Sequence, residues 1–132
     1  MHKILFTLGI FICSLQLHGQ NINGKYLYKK NIKNPDFNFV VFQMIISNDT
    51  VYKFNEFAGN KSDFTSYESW NTSVKNGKLK HIKGLNYLLT NWNSGNKKTA
   101  VEVKITQKKI IFYTYDIRNI KIKSFEMEKI NI

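Results

Sequence analysis

Val101-Glu-Val-Lys-Ile105-Thr-Gln-Lys-Lys-Ile110-Ile-Phe-Tyr-Thr-Tyr115-Asp-Ile-Arg-Asn-Ile120-Lys-Ile-Lys-Ser-Phe125-Glu-Met-Glu-Lys-Ile130 is the stretch that decides the fold. Val101, Val103 and Ile105 alternate with Glu102 and Lys104, the period of two of a strand with one buried and one wet face. Taking Gln107-Lys108 as a two-residue turn sets Ile105 opposite Ile110, Val103 opposite Phe112 and Val101 opposite Thr114, so apolar groups meet apolar groups. Taking Arg118-Asn119 as the next turn sets Phe112 opposite Phe125 and Ile110 opposite Met127, with Asp116 facing Lys121 and Thr114 facing Lys123. An equally legal reading puts a β-bulge near Ser124, because the apolar positions change parity between Ile120 and Ile122 on one side and Phe125 and Met127 on the other. Either register makes the last three strands an antiparallel meander.

The same grammar runs upstream. Short β-prone runs separated by turn residues predict strands over 24–30, 37–47, 50–57, 70–75, 78–82, 86–92, 99–106, 109–117 and 120–130, eight or nine in all. Asn76-Gly77 reads as a type I′ hairpin turn, since these residue types best tolerate positive φ. Asn48-Asp49 is a weaker case of the same chemistry, and residues 93–98 read as an exposed loop. Residues 63–67 fit either a short helix capped by Asp63 or an extended strand, and the strand is the expectation adopted. Pro35 is the single proline, and no repeat or linker marks a boundary, so residues 20–132 read as one domain.

So many strands must hide their edges, in a closed barrel or a two-sheet sandwich. Short connections suit an up-and-down topology, and no cysteine pair or cross-sheet tryptophan signature suggests an immunoglobulin-like sandwich. The expected fold class is therefore all-β: an antiparallel up-and-down meander of eight or nine strands closing into a small barrel.

Residues 1–19 read as a secretory signal peptide. Lys3 supplies the positive flank, residues 4–15 an apolar run, and Gln16, His18 and Gly19 a polar end with cleavage near Gly19 or Gln20. The run is shorter than the roughly 20 residues of a membrane span, so no transmembrane segment is expected after cleavage. Export to the periplasm or beyond follows. Cys13, the sole cysteine, falls inside this leader, and Ile12 stands where a lipoprotein needs a small residue. The exported part then has no thiol for a disulfide, a metal or catalysis.

The chain carries 20 Lys plus Arg against 9 Asp plus Glu, a net charge of +11. Such an excess attracts polyanions over a Debye length of about 8 Å. All but Arg118 are lysines scattered along the strands, without the Arg forks that grip bases or phosphates, and export argues against nucleic acid. The lysines read as solvated strand faces.

Catalysis has least support. After the leader, His81 is the one histidine, and no Ser/His/acid order, metal-ligand spacing or Gly-rich phosphate loop appears, so neither a catalytic site, a metal nor a cofactor is expected. The Asn76-Gly77 register sets His81 opposite Thr72, on the face of Val74 and Leu79, with Trp70 and Lys83 next along. That placement makes His81 a candidate inward group, although one imidazole without a partner makes no site. Phe37, Phe39, Phe42, Phe54, Phe112 and Phe125 read as core. Tyr67, Trp70, Tyr87 and Trp92 have polar neighbours and read either as packing residues or as a stacking platform for sugars.

Ile22-Asn-Gly24-Lys-Tyr26, Thr50-Val-Tyr-Lys-Phe54, Asn76-Gly-Lys-Leu79 and the closing run 105–130 together resemble the lipocalin-like (calycin) barrels, in particular the small exported lipocalin-like domains of Gram-negative bacteria. Tyr26 stands where that family has tryptophan, and Arg118 does not align with the late arginine that packs on it. The resemblance implies an up-and-down barrel closed by Tyr26 at one end, with an open mouth at the other that holds an apolar ligand.

The leading expectation is thus a non-enzymatic binding module for a small apolar or anionic amphiphilic ligand. Val101, Val103, Ile105, Ile110, Phe112 and Phe125 would line the deep end, with Trp70 and His81 as further candidates. Thr114, Asp116, Lys121 and Lys123 would ring the mouth, the two lysines meeting an anionic headgroup. The other expectation is an envelope interaction protein or inhibitor with a solid core, docking a protein or glycan through its basic or aromatic surface.

Overall fold

The computed structural model describes residues 21–60, 66–92 and 100–130. The leader over 1–19, the loop over 93–98, residues 63–65 and the first residue of the strand expected from 99 lie outside the described residues. Eight strands follow in order: β1 Gly24–Asn31, β2 Phe39–Ser47, β3 Val51–Gly59, β4 Asn71–Lys83, β5 Asn86–Leu89, β6 Val101–Ile105, β7 Lys109–Tyr115 and β8 Lys121–Lys129. Each pairs antiparallel with the next, and β1 pairs with β8, so the meander closes into a barrel. Closure hides the sheet edges that an open meander would leave. This is the expected fold class, and it agrees with the architecture that the calycin resemblance implies.

Alternation selects the inner wall. Tyr26, Met44 and Phe54 form one row across β1, β2 and β3. Ile22, Ile46, Tyr52, Leu79, Leu89, Val103, Ile105, Ile110, Phe112 and Met127 join them in one buried cluster. One end of the barrel carries the tight turns. Asn48 (φ 54°) and Asp49 (φ 59°) both adopt positive φ between β2 and β3, as a type I′ turn requires. At this end the Tyr26 hydroxyl donates to the Ile22 carbonyl at 2.6 Å, and the Lys129 ammonium lies 5.7 Å from the Tyr26 ring centroid. The other end carries the connection over 32–38, the end of β3, the start of β4 and the β7–β8 loop.

Three local expectations are corrected. Asn76-Gly77 is not a turn: β4 runs unbroken through it, with Lys53 opposite Asn76 and Tyr52 opposite Gly77. The expected strands over 70–75 and 78–82 are therefore one. A Cβ on Gly77 would sit 2.2 Å from the Thr90 carbonyl oxygen and 2.7 Å from the Tyr52 ring, so this glycine serves close approach rather than positive φ. The chain reverses instead at Gly84 (φ 57°). The strand expected over 63–67 is not found in its described part, because residues 66–69 form a 3₁₀ turn.

The third correction concerns the last hairpin. Gln107-Lys108 turns as expected, with Ile105 opposite Ile110 and Val103 opposite Phe112. The β7–β8 loop, however, has three residues rather than two: Asp116 N–H donates to the Ile120 carbonyl, and Asn119 takes φ 63°. This shifts Tyr115 opposite Lys121, Thr114 opposite Ile122 and Tyr113 opposite Lys123. A bulge at Ser124 then restores the register, so Phe112 faces Phe125 and Ile110 faces Met127. The bulged reading holds, and the facing of Asp116 with Lys121 and of Thr114 with Lys123 does not.

Candidate functional site

Inside the barrel, aromatic rings meet from five strands. Phe112 and Phe125 stack with centroids 4.4 Å apart and planes 11° apart. Tyr28 packs on Phe125 at 5.1 Å and on Phe42 at 5.5 Å, and Phe42 packs on Phe54 at 5.4 Å. Trp92, which follows β5, leans on Phe54 at 4.6 Å and on Phe112 at 5.5 Å. The Lys75 ammonium lies 4.5 Å from the Trp92 ring centroid, so a cation caps the apolar cluster.

One seam of the barrel is incompletely closed. β1 and β8 pair only through Tyr26 with Lys129 and Leu27 with Glu128. Beyond those pairs, β1 from Tyr28 and β8 before Glu128 separate, and a groove of about 610 Å³ runs between them. Leu27, Tyr28, Lys29, Lys123, Phe125 and Glu126 are among its lining residues. Tyr28 and Phe125 are therefore shared: they belong both to the interior cluster and to a groove open to the outside.

The expected site residues divide. Val103, Ile105, Ile110 and Phe112 are buried in the core, and Val101 and Phe125 are partly buried against it. Thr114 is exposed beyond the barrel body. Asp116 is engaged within its own loop. Its carboxylate accepts from Arg118 N–H and Ile120 N–H, both at 2.9 Å, and from the Arg118 guanidinium at 3.0 Å. The Ile120 amide, partly opposed by burial and then helped by the Arg118 contacts, holds this carboxyl below the usual carboxylate range.

Lys121 and Lys123 are placed differently from expectation as well. The bulge at Ser124 turns both onto the outer wall, opposite Tyr115 and Tyr113. Lys121 bonds Glu102 and lies 4.4 Å from the Tyr113 ring centroid, and the Glu102 bond raises its pKa. Lys123 reaches Glu126 at 3.1 Å, which lowers the Glu126 pKa. Only Lys123 of the two touches the seam groove.

His81 and Trp70 do not join the interior cluster. His81 lies opposite Tyr87 rather than Thr72, is exposed, and its Nε2 lies 2.8 Å from the Gly84 carbonyl oxygen. Trp70 lies outside the barrel, its ring against Gly59 and 6.5 Å from Tyr67. With Tyr67 it covers the outer side of β2 and β3. Phe57 is buried there against Tyr67, and Asn55 donates to Gln43, which donates to the Tyr67 hydroxyl. The four aromatics read as a sugar platform are thus scattered: Tyr67 and Trp70 outside, Tyr87 beside His81, and Trp92 within.

Sequence reasoning overlooked Leu27, Tyr28 and Lys29 as site residues. The signal was available, because an up-and-down barrel must set its first strand beside its last, so a site on Phe125 implies neighbours from β1. Among the described residues no group of three or more His, Cys, Asp or Glu side chains comes together to hold a metal. No helix among them is long and apolar enough to cross a membrane. Comparison with known proteins gave no matching family model, no matching curated protein and no matching solved structure.

Proposed function

We propose that this protein is an exported, non-enzymatic, lipocalin-like binding module that takes a small apolar or amphiphilic ligand at the β1–β8 seam. The observation that carries the reading is the double membership of Tyr28 and Phe125, packed in the interior ring cluster and lining the groove of about 610 Å³. Ligand pockets typically span roughly 300–1,000 Å³ and combine an apolar lining with a few placed polar groups. Here the rings and Leu27 supply the apolar part, and Lys29 and Lys123 stand at the rim for a carboxylate or similar headgroup. Lys123 already pairs with Glu126, so a headgroup there competes with that carboxylate. Export rests on the apolar run and polar end of residues 1–19.

Organic extraction of the natively purified protein, followed by mass spectrometry, tests this. A stoichiometric amphiphile in the extract is the expected result. A clean extract from folded protein, together with a stable protein or glycan partner, would replace the reading with that of an envelope interaction protein.

A further inference from the structure

The outer half of the β7–β8 hairpin extends past the last ladder pairs that join it to its neighbours, tied back to β6 by the ion pair of Lys121 with Glu102. Pairing of β6 with β7 ends at Val103 and Phe112, and pairing of β8 with β1 ends at Glu128 and Leu27. Among the described residues, the backbone ladder of residues 113–123 therefore runs only between the two strands of this ribbon. An isolated ribbon is marginal in water, yet this one is built firmly at its tip by the four Asp116 contacts to Arg118 and Ile120. It carries apolar side chains where a solvated ribbon needs none. Ile117 at the tip is 104% exposed, Ile120 47% and Ile122 44%.

The ribbon has two different faces. Ile120 and Ile122 fall two residues apart on one face, with Thr114 opposite Ile122. Tyr113, Tyr115, Lys121 and Lys123 form the other. Following Ile117, Ile120 and Ile122 down the hairpin leads to the stacked Phe112 and Phe125 pair, so the apolar face continues into the barrel interior. Within residues 113–123 three basic groups, Arg118, Lys121 and Lys123, stand against Asp116 alone. Each is ion-paired, with Asp116, Glu102 and Glu126 respectively, so attraction to an anionic surface comes chiefly from the chain-wide charge of +11.

We propose that this ribbon is a lipid-surface contact: Ile117, Ile120 and Ile122 enter the interfacial region of an anionic bilayer, and Arg118, Lys121 and Lys123 lie at the level of its headgroups. A narrow projecting tip offers little of the flat complementary area, above roughly 1,000 Å², that a stable protein interface needs. A bilayer interface accepts a convex amphipathic element, with binding set by buried apolar area plus attraction to anionic lipid. The proposal does not require a ligand in the barrel, so it can fail or hold independently of the binding reading.

The test is co-sedimentation of the mature exported protein with vesicles of phosphatidylcholine containing a minor share of phosphatidylglycerol. The parent protein is expected to partition onto them, and the double variant Ile117→Asn, Ile120→Asn to partition about tenfold more weakly or less. Both positions are exposed, so the variants keep the parent circular dichroism. In a second arm, Ile117→Trp should show blue-shifted emission that brominated acyl chains quench, read as the difference from the parent. Equal partition of parent and double variant, binding that salt abolishes while the isoleucine changes do nothing, or an unquenched tryptophan at position 117 would each overturn the proposal.

Discussion

Tyr28 and Phe125 face each other across the β1–β8 seam, ring centroids 5.1 Å apart, beyond the last ladder pair that joins those strands. Ring packing rather than backbone pairing holds the barrel together at this level. Core and groove therefore share side chains, and substitutions along the aromatic cluster should separate stability from binding. Phe112→Ala removes a buried ring and is expected to cost about 3–5 kcal/mol. Phe125→Ala removes a partly buried ring at the groove and should cost less stability while weakening ligand uptake more. Chemical denaturation of both variants checks the order, and a larger loss for Phe125→Ala would contradict it.

The two glycines of the β4–β5 region should respond differently to alanine. Gly77→Ala drives a Cβ into the Thr90 carbonyl and the Tyr52 ring, disturbing the bond from the Tyr52 hydroxyl to Thr90 at 2.6 Å. Overpacking of this kind costs about 1–3 kcal/mol or more. Gly84→Ala meets no atom within 4 Å, so its expected cost is the roughly 1–2 kcal/mol of a left-handed conformation. Thermal unfolding should rank Gly77→Ala as the less stable, with reduced near-ultraviolet dichroism from Tyr52. Loss of β-hairpin signals at Asn76 alone would instead favour a turn there.

Alkaline unfolding should report the closed end of the barrel. Burial pushes the Tyr26 hydroxyl up to about 12, with a smaller contribution from Tyr87, and burial alone pushes Tyr52 up to about 12. Both groups fold in the protonated form, whose ordinary pKa is 10.0. Their contribution is therefore complete below pH 10 and is lost as pH rises through 12. Absorbance at 295 nm should show exposed tyrosines titrating first and the last groups ionising together with loss of β-sheet dichroism. Ionisation of every tyrosine near pH 10 with the barrel intact would contradict the burial.

Outside the barrel, Tyr67→Phe removes the acceptor for the Gln43 amide while leaving Phe57 covered. Gln43 is 2% exposed, so its freed N–H is costly to leave unpaired, about 1–3 kcal/mol. Urea denaturation of Tyr67→Phe should show this loss. An unchanged midpoint would mean that the Gln43–Asn55 pair is satisfied without the tyrosine.

Much of this architecture could be read from residues alone, where alternation and turn chemistry agreed. Ile105 with Ile110, Phe112 with Phe125 and the Asn48-Asp49 turn follow from period-two patterning and from residues that tolerate positive φ. Asn76-Gly77 misled because a local preference met a long-range demand: Tyr52 needs a neighbour without a side chain, and β3 pairs across the site. At the last hairpin the extra loop residue and the Ser124 bulge offset each other. The deep register was therefore right while Lys121 and Lys123 came out on the opposite face. The seam groove was the hardest feature to foresee, since it depends on how far closure proceeds between strands at opposite ends of the chain.

The most direct measurement of ligand uptake at the ring cluster is a titration with dodecanoate, a single-chain anionic amphiphile, read through Trp92 emission in a Trp70→Phe background. Trp92 lies against Phe54 and Phe112, within the cluster that Phe125 and Tyr28 extend to the groove. The expected result is a saturable change at one amphiphile per protein, weakened by Phe125→Ala. A Trp92 signal that stays flat or drifts without saturating, in protein that remains folded, would contradict the claim that the seam admits a ligand.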